Sequence, residues 1–363
     1  DASYMFYGCA NATFDSLETV DGHPSSTAHM FDGIKSATFG ALKSLTLGGD
    51  ASYMFYGCAN ATFGSTSERY ADFNDLGGSL SNGSSMFAGC TQARIHIEDR
   101  EENAPKTLAT LKTATAMFSG CSSVEVDSLN PDGALVEAED MFRGIPGGVS
   151  VKNLGRGAIQ NARGMFRESH TVGISGGDVF NVADMGGMFM DVGTLTLTKQ
   201  VEKTLNDNAN VAMKADSAFR NVSSQVFKSY PNCAISNRLT DADYMFALDV
   251  PVEGDKLFED ASQIGGFANA LTRRDQNSPK SNAVVKSSIT TAKGMFRNRR
   301  VSKSAAEKLF ANPTGGIDNI VADKYGHVLP VPFGLISGDE MYGGFGVIED
   351  GSPVMAVSIP PTL

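Results

Sequence analysis

The sequence has few of the residue types that usually carry catalysis or bind metals. Among its 363 residues there are no tryptophans, five histidines and five cysteines. The histidines are His23, His29, His96, His170 and His327, and they show neither the H-E-x-x-H spacing nor another metal-ligand spacing. The chain also contains no P-loop and no G-x-S-x-G nucleophile motif. The sequence therefore predicts a protein that is not an enzyme and that uses no cofactor or metal.

Long apolar runs and an excess of positive charge are also missing. No run approaches the roughly 18 apolar residues of a transmembrane helix, so we expect no membrane insertion. A net charge of −11 disfavours nucleic acid as a partner, because its phosphates would be repelled. The first residues contain no basic, apolar leader, and Asp1 falls inside a repeat. We therefore expect either a removed leader or a longer parent chain.

What the sequence does contain is a repeat centred on the dipeptide Met-Phe. Ten copies begin at Met5, Met30, Met54, Met86, Met117, Met141, Met165, Met188, Met245 and Met295. Degenerate copies at Ala218-Phe219 and Gly266-Phe267 fill the two long gaps. A period in the twenties is typical of a leucine-rich-type solenoid, in which each coil buries its apolar face only against its neighbours. Residues 1–312 are therefore predicted to form a solenoid of about twelve repeats.

Each repeat combines two periodicities. Counted from Met, apolar or small residues recur at −6, −3, 0, +1 and +4, which predicts a short helical turn with one buried side. A few residues later the pattern alternates, as in Ile95-His96-Ile97 and Val124-Glu125-Val126, which predicts a short strand. The predicted fold is a mainly β, leucine-rich-repeat-like, right-handed solenoid with a parallel sheet. One short strand is expected per repeat of roughly 24 residues.

The last residues break the pattern. Ser304–Glu307 fits a capping box that would open a short helix through Phe310, and the repeat is expected to stop after Pro313. Asp350-Gly351 lies between two strand-like runs and predicts a hairpin. Residues 313–363 are predicted to be a β-rich cap or a docking segment. This segment and the open N-terminal end of the solenoid are candidate assembly contacts.

Four of the five cysteines occupy the same place in the repeat. Cys9, Cys58, Cys90 and Cys121 lie at +4, where other repeats have isoleucine or valine. A position that accepts these three residue types is predicted to be a small buried apolar site that holds a free thiol. Disulfides between adjacent rungs are sterically conceivable, whereas the wide spacing argues against a zinc site.

Two groups of residues are candidate binding sites. The outward positions of successive strands include His96, Glu125, Ser150 and Thr196, which form either a polar recognition strip or an ordinary solvated face. A late basic group is a candidate patch for an anionic ligand or, alternatively, another solvated face. Its members are Arg273, Arg274, Arg297, Arg299 and Arg300.

The motif M-F-x-G-C followed by a short alternating strand resembles the BspA-like leucine-rich repeat proteins, in a variant with Met-Phe. The strongest matches are Met5–Cys9, Met54–Cys58, Met86–Cys90 and Met117–Cys121, and looser matches extend along most of the chain. The resemblance implies a secreted or surface-exposed protein that mediates adhesion. Its partner would be a protein or glycan on a host or neighbouring cell surface.

Two other functions fit the same scaffold. The protein is alternatively a structural or receptor-binding component of a virus, a phage tail or an extracellular filament, located in the virion in the viral case. A more remote alternative is a polysaccharide-active β-solenoid enzyme. That function would require two carboxylates about 5–10 Å apart in a cleft.

Overall fold

The computed structural model describes most of residues 1–198 and a smaller share of the later residues. The larger gaps in the first part are 64–70, 74–78, 100–106 and 178–181, with isolated positions elsewhere. Beyond residue 198 the described ranges are 213–224, 239–252, 289–302, 320–322, 328–330, 341–349 and 352–355, with residues 255 and 257. The repeats at Met5 to Met245 and at Met295 fall in described ranges, whereas Gly266-Phe267 and the capping box at Ser304 lie outside them.

The described regular structure consists of short strands. They are β1 (Thr19–Val20), β2 (Ser44–Leu45), β3 (Ala71–Phe73), β4 (Arg94–Ile97), β5 (Ser123–Ser128), β6 (Val149–Asn153), β7 (Ile159–Asn161), β8 (Thr171–Ile174), β9 (Val182–Asp184), β10 (Thr194–Leu197), β11 (Met213–Lys214), β12 (Leu239–Asp241), β13 (Arg300–Ser302), β14 (Ile320–Ala322), β15 (Val328–Pro330), β16 (Gly346–Glu349) and β17 (Ser352–Met355). Within the described ranges the chain forms no helix. In that same part of the chain, nothing is long and apolar enough to cross a bilayer as a helix.

The chain divides into two compact units, and none of the three boundaries between them falls at the predicted 312/313 junction. Unit 1 comprises Asp1–Val182 and Leu195–Val201, and unit 2 comprises Ala183–Thr194 and Glu202–Leu363. The division of the chain into a solenoid and a separate C-terminal segment at residue 313 stays a prediction.

Unit 1 is a parallel-strand β-solenoid, as the alternating pattern predicts. Its six-stranded sheet has the order β3-β4-β5-β6-β8-β10. The pairs from β3 to β8 are parallel and in direct register, so that Ile95 lies beside Val124, Val124 beside Val149 and Val149 beside Val172. β1 and β2 form a separate parallel pair. Because equivalent residues of successive coils lie side by side, each strand position becomes a row along the sheet.

The Met-Phe segments form the core of both units. In unit 1, the rings of Phe6, Phe31, Phe55, Phe87, Phe118, Phe142 and Phe166 stack in sequence with centroid distances of 5.1–5.7 Å. In unit 2, a second stack joins Phe189, Phe219, Phe246, Phe296 and Tyr342 at 5.3–5.7 Å. The methionine partners Met54, Met117 and Met245 are 0% exposed. Apart from Met5, which is 57% exposed, the stripe is therefore core, since stacked rings and sulfur atoms fill the space between coils.

The predicted helical turn is wrong in detail, because a run of overlapping tight turns replaces it. In the coil around Met117, the N–H groups of Met117, Ser119 and Cys121 each donate to the carbonyl three residues earlier, at 3.1 Å. The alternate N–H groups donate to the next coil instead: those of Ala114, Ala116, Phe118 and Gly120 bond the carbonyls of Glu137, Glu139, Met141 and Arg143 at 2.8–2.9 Å. A helix cannot form, because half of the donors it needs are bonded to the neighbouring coil.

These turns require left-handed residues at fixed places. Ala116 and Gly120 have φ values of +53° and +73°, and the equivalent positions −1 and +3 recur with positive φ in the other coils. A positive φ at the third residue of a four-residue turn is the type II requirement, which glycine satisfies most easily. The Gly of M-F-x-G-C is therefore a turn residue.

In unit 2 the repeat continues further than the sequence predicts. β9, β11 and β12 pair in parallel, and β13 pairs in parallel with β16. The N–H of Phe296 donates to Met341, and the Tyr342 ring stacks on Phe296, so Met341–Phe345 forms another coil of the Met-Phe type. The coil geometry of the Met-Phe repeat therefore recurs at Met341–Phe345, beyond the predicted end of the repeat at Pro313. The predicted hairpin is confirmed, because β16 and β17 are antiparallel on either side of Asp350-Gly351.

Candidate binding surface

The predicted polar strip lies on the outward face of the six-stranded sheet. His96, Glu125 and Ser150 are direct neighbours on β4, β5 and β6. Their flanking residues are buried, whereas His96 and Glu125 are half-buried and Ser150 is exposed. Thr196 is exposed on β10, the strand beyond β8. The structure thus brings the first three residues together and places Thr196 further along the same sheet.

A second outward row, which the sequence analysis missed, runs beside the first. Asp127 lies two residues after Glu125 on β5, and Lys152 lies two residues after Ser150 on β6. The register pairs Val126 with Val151 and Ser128 with Asn153, so Asp127 and Lys152 are neighbours. The signal was available, because the alternation of buried and outward residues continues beyond Val126. The observed strand β5 is therefore longer than the predicted alternating segment Val124–Val126.

Residues of the two rows meet in a charged cluster, here called the strip cluster: His96, Glu125, Asp127 and Lys152. The Lys152 ammonium lies 2.6 Å from Asp127 Oδ1 and 3.2 Å from Glu125 Oε1. His96 Nε2 lies 3.3 Å from Asp127 Oδ1 and 4.0 Å from Glu125 Oε1. The Asp99 N–H donates to the second Asp127 oxygen at 3.2 Å. Both carboxylates therefore share one cation, and Asp127 is fixed on two sides.

The electrostatics of the strip cluster favour its charged forms. Partial burial alone would raise the pKa of Asp127, but hydrogen bonds from Lys152, the Asp99 N–H and His96 outweigh it and hold that pKa below its usual value. The hydrogen bond to Asp127 likewise raises the pKa of Lys152 against a smaller effect of desolvation, with a further contribution from Glu125. Both pKa shifts follow from the contacts of the ion pair, which favour the charged state of each group.

This arrangement is suited to holding charge rather than to moving protons. A general acid on a glycosidic bond needs a carboxyl group whose pKa is raised, whereas the pKa of Asp127 is lowered. The ligand atoms of His96, Glu125 and Asp127 all lie within 4.8 Å of one another, closer than the carboxylate spacing of a glycosidase. The strip cluster can accept a cation or present paired charges to a partner.

The predicted basic patch is divided by the structure. Arg299 is 0% exposed and pairs with Asp255 at 2.9 Å, and it also donates to the carbonyls of Phe246 and Val222. It occupies the +4 position of its coil, where it bonds neighbouring coils and cannot reach an external anion. Arg297 is exposed and Arg300 is half-buried. Arg273 and Arg274 lie outside the described residues.

A ladder of stacked aromatic rings lies along the turns of unit 1, and the sequence patterns did not predict it. The rings of Tyr4, His29 and Tyr53 stack at 4.7 and 4.8 Å, and all three residues have positive φ. His29 Nδ1 lies 2.7 Å from Asp32 Oδ2. Left-handed backbone is costly for aromatic residues, and other coils place glycine at the same −1 position. The two tyrosines of the ladder are exposed and His29 between them is half-buried. The signal in the sequence was the tyrosine before Met5 and before Met54.

Comparison of this chain with family models, curated proteins and solved structures found no match. The resemblance to BspA-like repeats therefore depends on the sequence motif alone. A repeat type determines a scaffold and not a partner, so any function depends on the surfaces that the coils expose.

Proposed function

We propose that this protein is a non-enzymatic binding protein, secreted or displayed on a cell surface, that mediates adhesion through the outward face of its six-stranded sheet. The strip cluster is the observation that carries the proposal. It places four ionisable side chains in two adjacent rows of a rigid sheet, where they are held in defined positions by one another. Binding sites built on strands are more accurately positioned than sites on loops.

The surroundings of the strip cluster support recognition of a polar partner. Ser150 and Thr196 extend the surface with exposed hydroxyl groups, which donate and accept hydrogen bonds. The parallel strands from β4 to β6 place their outward side chains in rows along the sheet, and an extended surface of this kind suits an extended ligand. A protein or a glycan on a host or neighbouring cell fits this description.

The proposal is tested by a screen and a footprint. The 363-residue protein is applied to arrays of glycans and matrix proteins, and each ligand found is tested for protection of lysines from acylation. We expect protection of Lys152, whose side chain is 52% exposed, and unchanged labelling of Lys112, which is exposed outside the sheet. Binding that leaves Lys152 fully reactive would contradict the proposed surface, and the absence of any ligand on the arrays would count against adhesion.

A further inference from the structure

We propose that the strip cluster is also a binding site for a divalent transition-metal ion, with His96, Glu125 and Asp127 as ligands and the Lys152 ammonium as its internal competitor. An imidazole nitrogen with two carboxylate oxygens suits Zn²⁺ better than Ca²⁺ or Mg²⁺, which prefer oxygen ligands alone. The inference concerns a metal site, and it does not depend on the proposed adhesion.

The geometry of the three ligand atoms fits one ion. Ligands that bind Zn²⁺ tetrahedrally at about 2.0–2.2 Å lie about 3.3–3.6 Å from one another. The His96 nitrogen is 3.3 Å from the Asp127 oxygen and 4.0 Å from the Glu125 oxygen. All three atoms lie within 4.8 Å of one another, so small side-chain rotations are sufficient to close the site.

The sheet holds these ligands before any ion binds. His96 and Glu125 are paired residues of parallel strands, and Asp127 projects from the same face of β5. The Asp99 N–H fixes Asp127 Oδ2 and leaves Oδ1 directed at His96 and Lys152. A second hydrogen bond that orients a ligating carboxylate is a usual feature of metal sites. The rigid backbone therefore supplies the preorganisation that metal binding requires.

The Lys152 ammonium occupies the position at which the two carboxylates hold a positive charge. Its ammonium contacts both carboxylates at 2.6 and 3.2 Å, so a unit charge already lies where the ion would bind. The Lys152 side chain is 52% exposed, and its flexible stem can turn into solvent without disturbing the buried face of β6. Metal binding thus exchanges one cation for another.

The experiment measures the affinity for Zn²⁺ alone, by competition with a chromophoric chelator, in the wild type and three variants. Lys152→Met is expected to bind one Zn²⁺ per chain roughly tenfold more tightly than the wild type, because the competing charge is removed. Lys112→Met is the matched control, since it removes an exposed lysine outside the strip cluster, and it should leave the affinity unchanged. Adding Asp127→Asn to Lys152→Met should abolish the gain.

Two results would overturn the site. One is an affinity of Lys152→Met no higher than that of Lys112→Met, and the other is a gain that survives Asp127→Asn. If Lys152→Met does not fold, as judged by circular dichroism, Lys152→Gln provides the same loss of charge with a polar side chain. The measurement contains no adhesion ligand, so its failure would be distinguishable from failure of the proposed function.

Discussion

At the scale of single residues, the phenylalanine after each methionine sustains the core. Phe118 is 0% exposed and stacks on Phe87 and Phe142 at 5.7 and 5.4 Å. We expect Phe118→Ala to lower the free energy of unfolding by about 3–5 kcal/mol, because it removes a buried ring and leaves a cavity between coils. Urea denaturation measures this loss. A loss below about 1 kcal/mol would show that the ring is not a core residue.

Cys9 and Cys58 lie in identical local sequences, so their reactivities can be compared directly. Residues 1–14 and 50–63 are identical, yet Cys9 is exposed and Cys58 is buried. Native protein treated with iodoacetamide should be alkylated rapidly at Cys9 and slowly at Cys58, because burial raises the pKa of Cys58 to about 12 and limits access. Mass spectrometry of the two distinct tryptic peptides gives both rates. Equal rates would contradict the packing, and unfolding should make the rates equal.

Burial of the Cys121 thiol makes the free energy of unfolding fall as the pH becomes alkaline. Desolvation raises the pKa of Cys121 well above its ordinary value of 9.0, so the native state keeps a proton that the unfolded state releases. The unfolded state binds fewer protons above pH 9, so the thiol's contribution to stability is complete below pH 9 and is lost as pH rises. Between pH 8 and pH 10 the wild type should lose more stability than Cys121→Val, by a difference on the order of 1 kcal/mol. Parallel urea titrations would show equal losses if the thiolate were tolerated inside.

At the scale of the coil, the positive φ of certain turn positions limits which residues these positions tolerate. Gly120 has a φ of +73°, and a Cβ built there would make only ordinary contacts with Gly89, at 3.9 Å or more. Gly120→Val should cost about 1–2 kcal/mol or more through backbone strain alone. Gly120→Asn is the matched control, because Asn221 and Asn298 occupy the equivalent position with positive φ. Equal stability of the two variants would mean that the turn is not left-handed in solution.

Side-chain capping explains another preference in the coils. The position four residues before the methionine of a coil is occupied by Asp50, Asn82, Asn161 or Asp241 in four of the coils. Each of these side chains accepts a hydrogen bond from the N–H two residues later, at 2.9–3.1 Å. This is the Asx-turn geometry, which satisfies a donor at the entry to the turn. The same positions form isolated parallel bridges between coils, as in Asp50 with Asn82. Acidic and amide residues there are structural.

Sequence periodicity predicted the strands well and the turns poorly, for a physical reason. Alternation around Glu125 has one interpretation, since a period of two occurs only in extended chain. Offsets of three and four around Met117 fit a helical turn, and they also fit three overlapping turns in which Ala116 and Gly120 are left-handed. Hydrogen bonds to the next coil distinguish a helical turn from this run of overlapping turns. The acceptors of these bonds belong to the next repeat, so the local sequence around Met117 does not reveal them.

At the scale of the whole molecule, the repeat predicted the architecture but not the site. His96, Glu125 and Ser150 were predicted as one row because they hold equivalent places in their coils. Lys152 contacts Asp127 within the second row and Glu125 in the first row, and the geometry of both contacts depends on strand register and strand length. The continuation of the repeat at Met341-Tyr342 was missed because tyrosine replaces phenylalanine there.

At this scale, the proposed function depends on the outward face of the six-stranded sheet as the binding surface. Ser150 is exposed on that face, and Val136 is 39% exposed outside the sheet. The most direct measurement is the affinity of the best array ligand for Ser150→Arg and for Val136→Arg, which add the same side chain at the two places. We expect Ser150→Arg to weaken binding at least tenfold and Val136→Arg to retain wild-type affinity. Undiminished binding by a correctly folded Ser150→Arg protein would contradict it.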